Sequence, residues 1–267
     1  MVIYSEGLVK DIIRQDPCDL NSSMWIVRPK PHPSASLRLF CFPYAGGGSL
    51  VYRSWPQDLP DQVEVCCVQP PGRENRLAES PFTCLPLLVQ TLADELYPFL
   101  DRPFAFFGHS LGALVSFELI RLMRDRFGLI PVQLFISGYR APHLPNPDLP
   151  VHQLPCDEFE MQLRRLHGTP EEVLRDKELM QIMMPLLRAD FAIHETYSYR
   201  PSAPLDCPIS AFGGWNDDHA SYEELDLWRQ HTRNRFNLQM FDGDHFFLKN
   251  ARLNILNSIS QELVQLL

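Results

Sequence analysis

The sequence predicts a doubly wound α/β fold built on a mostly parallel sheet, and three observations predict it. Six short apolar runs, each closed by Gly, Pro or Asp, recur along the chain: Leu37–Phe42, Val63–Gln69, Phe104–Phe107, Val132–Ser137, Ile209–Phe212 and Phe236–Phe241. Runs that short and that continuously apolar suit strands buried on both faces. Between them, apolar residues fall at helical spacing, as in Leu85, Leu88, Leu92 and Leu96, then Leu111, Leu114, Val115, Leu119 and Leu122. Strand alternating with helix is the signature of a parallel sheet. The third observation is a break in that rhythm at about 142–204, where a proline-rich entry (Pro142, Pro145, Pro147, Pro150, Pro155) leads into helical patterns without a strand.

A segment of that length is too long for a plain loop. It reads as a helical lid inserted over the C-terminal edge of the sheet, where open α/β sheets place their ligands. Side chains such as Phe159, Met161, Met180, Phe191 and Tyr197 are of a kind to line a greasy cavity, although most of them serve equally to glue the lid down. Residues 1–36, with a short amphipathic turn around Leu8–Ile13 and prolines at 29, 31 and 33, read as a peripheral N-terminal extension. Residues 37–267 read as the domain proper.

Composition narrows the function classes. With 45% hydrophobic and 21% charged residues in 267, the chain is globular and long enough for one sizeable core. Lys+Arg 24 against Asp+Glu 33 leaves a net charge of −9, which repels polyphosphate, so nucleic acid is not an expected partner. No apolar run approaches the roughly 20 residues of a membrane span. Glu6, Lys10, Asp11 and Arg14 interrupt the first residues, which therefore lack the apolar stretch of a secretory signal; a cytoplasmic location is the expectation. The seven cysteines show no CxxC or Cys/His spacing, so reduced thiols and no metal site are expected.

The chemistry is carried by Gly108-His109-Ser110-Leu111-Gly112, a G-x-S-x-G placed between an apolar strand and a helix. In that context the pentapeptide is a nucleophile elbow. It presents the Ser110 hydroxyl above the sheet at a helix N-terminus, where N–H groups and the helix dipole favour negative charge. The plainer alternative is that Ser110 merely caps the helix. A serine hydroxyl is nearly inert at neutral pH and needs a base. Phe241-Asp242-Gly243-Asp244-His245 puts His245 on the loop after the last strand, the alternative being that His245 caps the final helix. His109 reads as a packing residue beside the nucleophile, and His143, His152, His167, His194 and His219 as surface or structural residues.

The imidazole needs a carboxylate to fix its tautomer. Gly213-Gly214-Trp215-Asn216-Asp217-Asp218 ends a strand and supplies two adjacent acids, of which Asp217 is the first choice and Asp218 the alternative. Asp242 and Asp244 read as turn formers. An oxyanion requires two donors, the N–H after the nucleophile and one from an early βα loop. Leu111 gives the first. Pro43-Tyr44-Ala45-Gly46-Gly47-Gly48-Ser49 gives the second, with Ala45 or Tyr44 as donor. That loop lacks both the Lys-Ser/Thr ending of a P-loop and the GxGxxG spacing of a dinucleotide site.

Taken together, Phe42-Pro43-Tyr44-Ala45-Gly46-Gly47, Gln69-Pro70-Pro71-Gly72-Arg73-Glu74, the elbow and Gly243-Asp244-His245-Phe246 resemble the type II thioesterases. These are stand-alone α/β-hydrolases of nonribosomal peptide and polyketide synthesis, similar to the medium-chain thioesterase of animal fatty acid synthesis. The resemblance runs from residue 37 to the C-terminus. It implies an α/β-hydrolase fold with Ser110 as nucleophile, His245 as base, Asp217 as its partner, and the N–H groups of Ala45 and Leu111 as the oxyanion hole. Where the family often has proline after the acid, Asp218 stands here.

What the resemblance implies about activity is hydrolysis of acyl groups from the phosphopantetheine arm of a carrier protein, editing an assembly line. The enzyme would act as a monomer with acyl or peptidyl carrier domains as partners and without a cofactor or metal of its own. Carrier proteins are usually acidic, so docking would need a local basic cluster such as Arg121, Arg124 and Arg126 or Arg164 and Arg165. Pro71–Glu74 reads as a structural turn with an Arg–Glu pair. The competing readings are a free-standing carboxylesterase or lipase and, from another class, a binding protein with a vestigial triad.

Overall fold

A computed structural model of the chain describes residues 23–147, 149–166, 168–169 and 171–266. Seven strands form one sheet: β1 (Ile26–Val27), β2 (Leu37–Phe42), β3 (Val63–Val68), β4 (Phe104–His109), β5 (Gln133–Ser137), β6 (Ile209–Gly214) and β7 (Phe236–Phe241). Their order across the sheet is β1-β3-β2-β4-β5-β6-β7. Every neighbouring pair is parallel except β1 with β3. The six expected strands are all present, with β4 and β6 each running two residues beyond the apolar run, to His109 and Gly214.

The runs are continuously apolar because both faces of the sheet are covered. Along β4, Phe104 and Phe106 face a cluster that includes Leu92 and Leu96 of α1 (Leu85–Leu96) and Leu114 and Phe117 of α2 (Leu111–Phe127). Ala105 and Phe107, one step out of phase, join a second cluster with Ile255, Leu256 and Ile259, which lie on the C-terminal helix Arg252–Val264. The side-chain period of two along a strand divides the residues in this way.

Between β5 and β6, the described residues of the expected strandless segment form three helices: α3 (Cys156–Arg165), α4 (Glu171–Arg175) and α5 (Lys177–Glu195). Asp176 caps α5 by accepting the N–H groups of Glu178 and Leu179. Phe159, Leu163, Leu174, Met180 and Leu187 form a small core within this insertion, whereas Met161 is exposed. Two short helices follow, α6 (Tyr222–Asp226) after β6 and α7 (Phe247–Asn250) after β7; the C-terminal helix is α8.

The structure departs from the sequence reading at the edge of the sheet. Residues 25–27 are not peripheral: Ile26 and Val27 pair antiparallel with Val68 and Cys67 of β3. Trp25 and Ile26 are buried, with the Arg76 guanidinium 4.3 Å over the Trp25 ring. A two-residue strand is too short to leave a periodic signal, yet it covers the Cys67–Val68 end of the β3 edge. The amphipathic turn read around Leu8–Ile13 lies outside the described residues, as does Cys18. The other six cysteines carry free thiols. Among the described residues no helix is long and apolar enough to cross a membrane.

Candidate active site

β4 is the middle strand of the seven, and Ser110 follows its last residue, with its N–H bonded to the Ser137 carbonyl at the end of β5 (2.8 Å). The serine has φ +53° and ψ −121°, a conformation that costs roughly 1–3 kcal/mol for a residue with a Cβ and that the surroundings must enforce. They do so by close packing. A Cβ on Gly112 would collide with the Phe42 carbonyl, and one on Gly108 with the carbonyl of Gly112. Strand and helix can therefore meet tightly enough to close the turn.

His245 must reach this serine from β7, three strands away. The loop 242–246 crosses above the end of β6 because Gly214 lets it: a Cβ there would lie 2.6 Å from the carbonyls of Gly243 and Asp244. The crossing is fixed by the Trp215 N–H to Phe241 and the Asn216 N–H to Gly243, both 2.9 Å. Asp244 turns the chain by accepting the Phe246 N–H at 2.8 Å, the local role read from the sequence.

The result is a continuous line of hydrogen bonds between residues distant in the chain. His245 Nε2 lies 2.9 Å from Ser110 Oγ. On the other side of the ring, Nδ1 lies 2.9 and 3.1 Å from the two oxygens of Asp217. An Nδ1 facing a carboxylate donates, which leaves Nε2 free to accept the serine proton. Asp217 is buried, and the His219 N–H fixes one of its oxygens at 2.9 Å; Asp218 is exposed and does not meet the ring. Of the two acids, Asp217 is the one whose oxygens lie within hydrogen-bond distance of the ring.

His109 packs beside this line as expected. It is fully buried, with Nδ1 2.9 Å from Ser137 Oγ and its ring 5.3 Å from that of His245. Burial, then the neighbouring His245, pushes its pKa well below the usual histidine value, so it stays neutral. His219 does more than the sequence suggested, since its N–H holds Asp217 and its ring stands 5.2 Å from that of His245, edge to face. His167 lies outside the described residues.

Leu111 is the first residue of α2 and directly follows Ser110. In the glycine-rich loop, the N–H groups of Gly46, Gly47, Ser49 and Leu50 are engaged within the protein. Ala45 directly precedes this anchored stretch. The expected Arg73–Glu74 pair does not form. Arg73 instead makes a two-pronged ion pair with Asp190 of α5, at 2.9 and 3.0 Å. Glu74 turns the other way and accepts from Ser49 Oγ and the Leu50 N–H. The partners Arg73 and Asp190 are 117 residues apart, which a single sequence gives no means of pairing. Arg121 and Arg124, considered for docking, hold the carbonyls of Arg200 and Ala203, and Arg126 pairs with Asp94.

A parallel sheet with a serine on a strained elbow, an imidazole and a buried carboxylate in line defines a hydrolase of the α/β-hydrolase fold. Residues 37–263 match the family model of the thioesterase domain, and the chain belongs to that family. It is 46% identical over 239 residues to the gramicidin S biosynthesis protein GrsT of Aneurinibacillus migulanus, covering 90% of this chain and 93% of that one. It is 45% identical over 247 residues to LgrE of Brevibacillus parabrevis, named a linear gramicidin dehydrogenase, covering 91% and 94%. Among solved structures it superposes with TM-score 0.84 on the type II thioesterase BorB from the borrelidin biosynthetic cluster. That match has 37% identity and covers 92% of this chain and all of that one.

Proposed function

We propose that this thioesterase hydrolyses acyl groups held as thioesters on the phosphopantetheine arm of a synthase carrier domain, with Ser110 as nucleophile, His245 as base and Asp217 as its partner. The 2.9 Å contact between Ser110 Oγ and His245 Nε2 carries the reading, and membership of the thioesterase family supports the choice of bond. As Ser110 Oγ attacks the thioester carbonyl, its proton passes to His245 Nε2, and Asp217 stabilises the imidazolium. The tetrahedral oxyanion is received by the N–H groups of Leu111 and Ala45. On collapse the C–S bond breaks, His245 returns its proton to the sulfur, and the carrier leaves with a free thiol. Water then enters, gives a proton to His245 and attacks the acyl-serine. Collapse of the second intermediate returns that proton to Ser110 Oγ and releases the acid.

A thioester carbonyl has little resonance stabilisation, so it suits a site whose main contribution is a positioned nucleophile and oxyanion donors. The helical insertion acts in this reading as a lid that excludes water around the acyl chain, each buried methylene contributing about 0.8 kcal/mol. Editing of aberrant or stalled acyl units is the role that the likeness to a gramicidin S biosynthesis protein and to a type II thioesterase supports.

The test is release of acyl groups from a loaded carrier protein. Ser110→Ala, folded by circular dichroism, is expected to lose about 10³-fold or more in turnover; unchanged turnover would refute the assignment. A strong preference of the wild type for free p-nitrophenyl esters over acyl-pantetheine thioesters would make it a carboxylesterase instead.

A further inference from the structure

The loop expected to supply the second oxyanion donor contains three successive glycines, Gly46–Gly48, which give it little shape of their own. One turn is internal, the Gly47 N–H on the Tyr44 carbonyl at 2.9 Å; the other restraints come from outside. Side chains from the loop after β3 hold its distal half: Gln69 Oε1 accepts the Ser49 N–H at 2.6 Å, and Glu74 accepts the Leu50 N–H and the Ser49 hydroxyl at 3.1 and 2.6 Å. Its proximal half, next to Ala45, is held by the helical insertion. Asp190 Oδ2 on α5 accepts the Gly46 N–H at 2.7 Å. The same oxygen accepts Arg73 Nη1, which also donates to the Gly47 carbonyl at 2.9 Å. One turn earlier on the same helix, Leu187 packs on Gly46 so closely that a Cβ on the glycine would lie 2.8 Å from its Cδ2.

Arg73 and Asp190 are 6% and 2% exposed, and both are fully engaged. A buried ion pair is weak evidence for stability, since apolar residues of similar volume often replace one without loss. What this pair supplies is position: it grips both sides of the Gly46–Gly47 peptide segment that follows the proposed donor. We infer that Asp190 and Arg73 are positioning residues of the oxyanion hole, setting the place of the Ala45 N–H from the helical insertion. The inference rests on the proposed roles of Ser110 and Ala45. It means that α5 and the oxyanion loop behave as one mechanical unit, so the insertion helps to set the rate of the chemical step as well as covering the acyl chain.

The experiment compares wild type with the double variant Arg73→Met/Asp190→Leu, which removes the grip without leaving a buried charge alone, and with Asp190→Asn, whose amide oxygen can still accept the Gly46 N–H. Turnover of an acyl-phosphopantetheine thioester is measured with the affinity for an alkyl boronic acid, whose tetrahedral adduct on serine places an oxygen in the oxyanion hole. The double variant is expected to melt within a few degrees of wild type and to lose roughly 30- to 100-fold in kcat with KM changed less than about threefold. Boronate affinity should weaken by the same factor, and Asp190→Asn should fall between.

A folded double variant with kcat within threefold of wild type overturns the inference, as does a loss of kcat without loss of boronate affinity. If the double variant does not fold, Asp190→Asn carries the same comparison: parallel losses support the inference and unequal ones overturn it. Should the wild type cleave esters but no thioester, the substrate reading fails separately, and the same variants remain measurable on p-nitrophenyl acetate.

Discussion

Asp217 and Asp218 are neighbours with the same functional group, and only their surroundings distinguish them. The Asp217 carboxylate is enclosed and receives both His245 Nδ1 and the His219 N–H, whereas Asp218 faces solvent. Replacing Asp217 by Asn should leave the backbone in place but invert the tautomer that the ring needs, with an expected loss in kcat of about 10⁴-fold. Asp218→Asn should change kcat less than about threefold. Steady-state hydrolysis by the two variants is the check, and comparable losses would reassign the acid. From sequence alone, order along the chain admits either acid, since both lie after β6 and between Ser110 and His245. The side-chain direction that decides it is set by the Gly213-Gly214 ending of β6 and by the crossing loop above it.

At the scale of elements, strands and elbow were legible because burial on both faces leaves a dense apolar run, and because a serine between two glycines at a strand-to-helix junction has few other uses. The lengths of β4 and β6 were less legible. Gly108 and His109 continue β4 through pairing with Ile136 and Ser137, and Gly213 and Gly214 continue β6 through pairing with Met240 and Phe241; neither extension is signalled by hydrophobicity. The insertion was legible as helical, and its aromatic residues proved in part to be its own core, with Phe159 at its centre. Arg73 is the clearest failure of local reading. A charged residue followed by its opposite suggests a pair, yet the positive φ of Glu74, +51°, turns the two side chains apart. Each then finds a partner that only the fold supplies.

Taken whole, the molecule hides several ionisable groups, and its stability should depend on acid accordingly. His231 is buried against Trp228 and Phe117, with Nε2 2.8 Å from His143 Nδ1. Burial, and then the neighbouring His143, lowers its pKa from 6.5 to about 4. The unfolded chain therefore takes up a proton that the folded one refuses between those values. No penalty exists above pH 6.5; it grows as pH falls and levels off near 4, reaching about 3 kcal/mol. Urea midpoints measured from pH 7 to 4.5 should fall in wild type and fall less in His231→Gln. Equal slopes would show that His231 does not carry the effect.

The two-residue strand β1 has a practical corollary for anyone preparing this protein. The matched domain begins at residue 37, an inviting place to start a shortened clone. Such a fragment would strip Trp25 from beneath Arg76 and bare the backbone donors and acceptors at the Cys67–Val68 end of β3, a ready template for stacking copies together. Light scattering on a fragment starting at residue 37 should reveal clumping that one starting at residue 23 escapes.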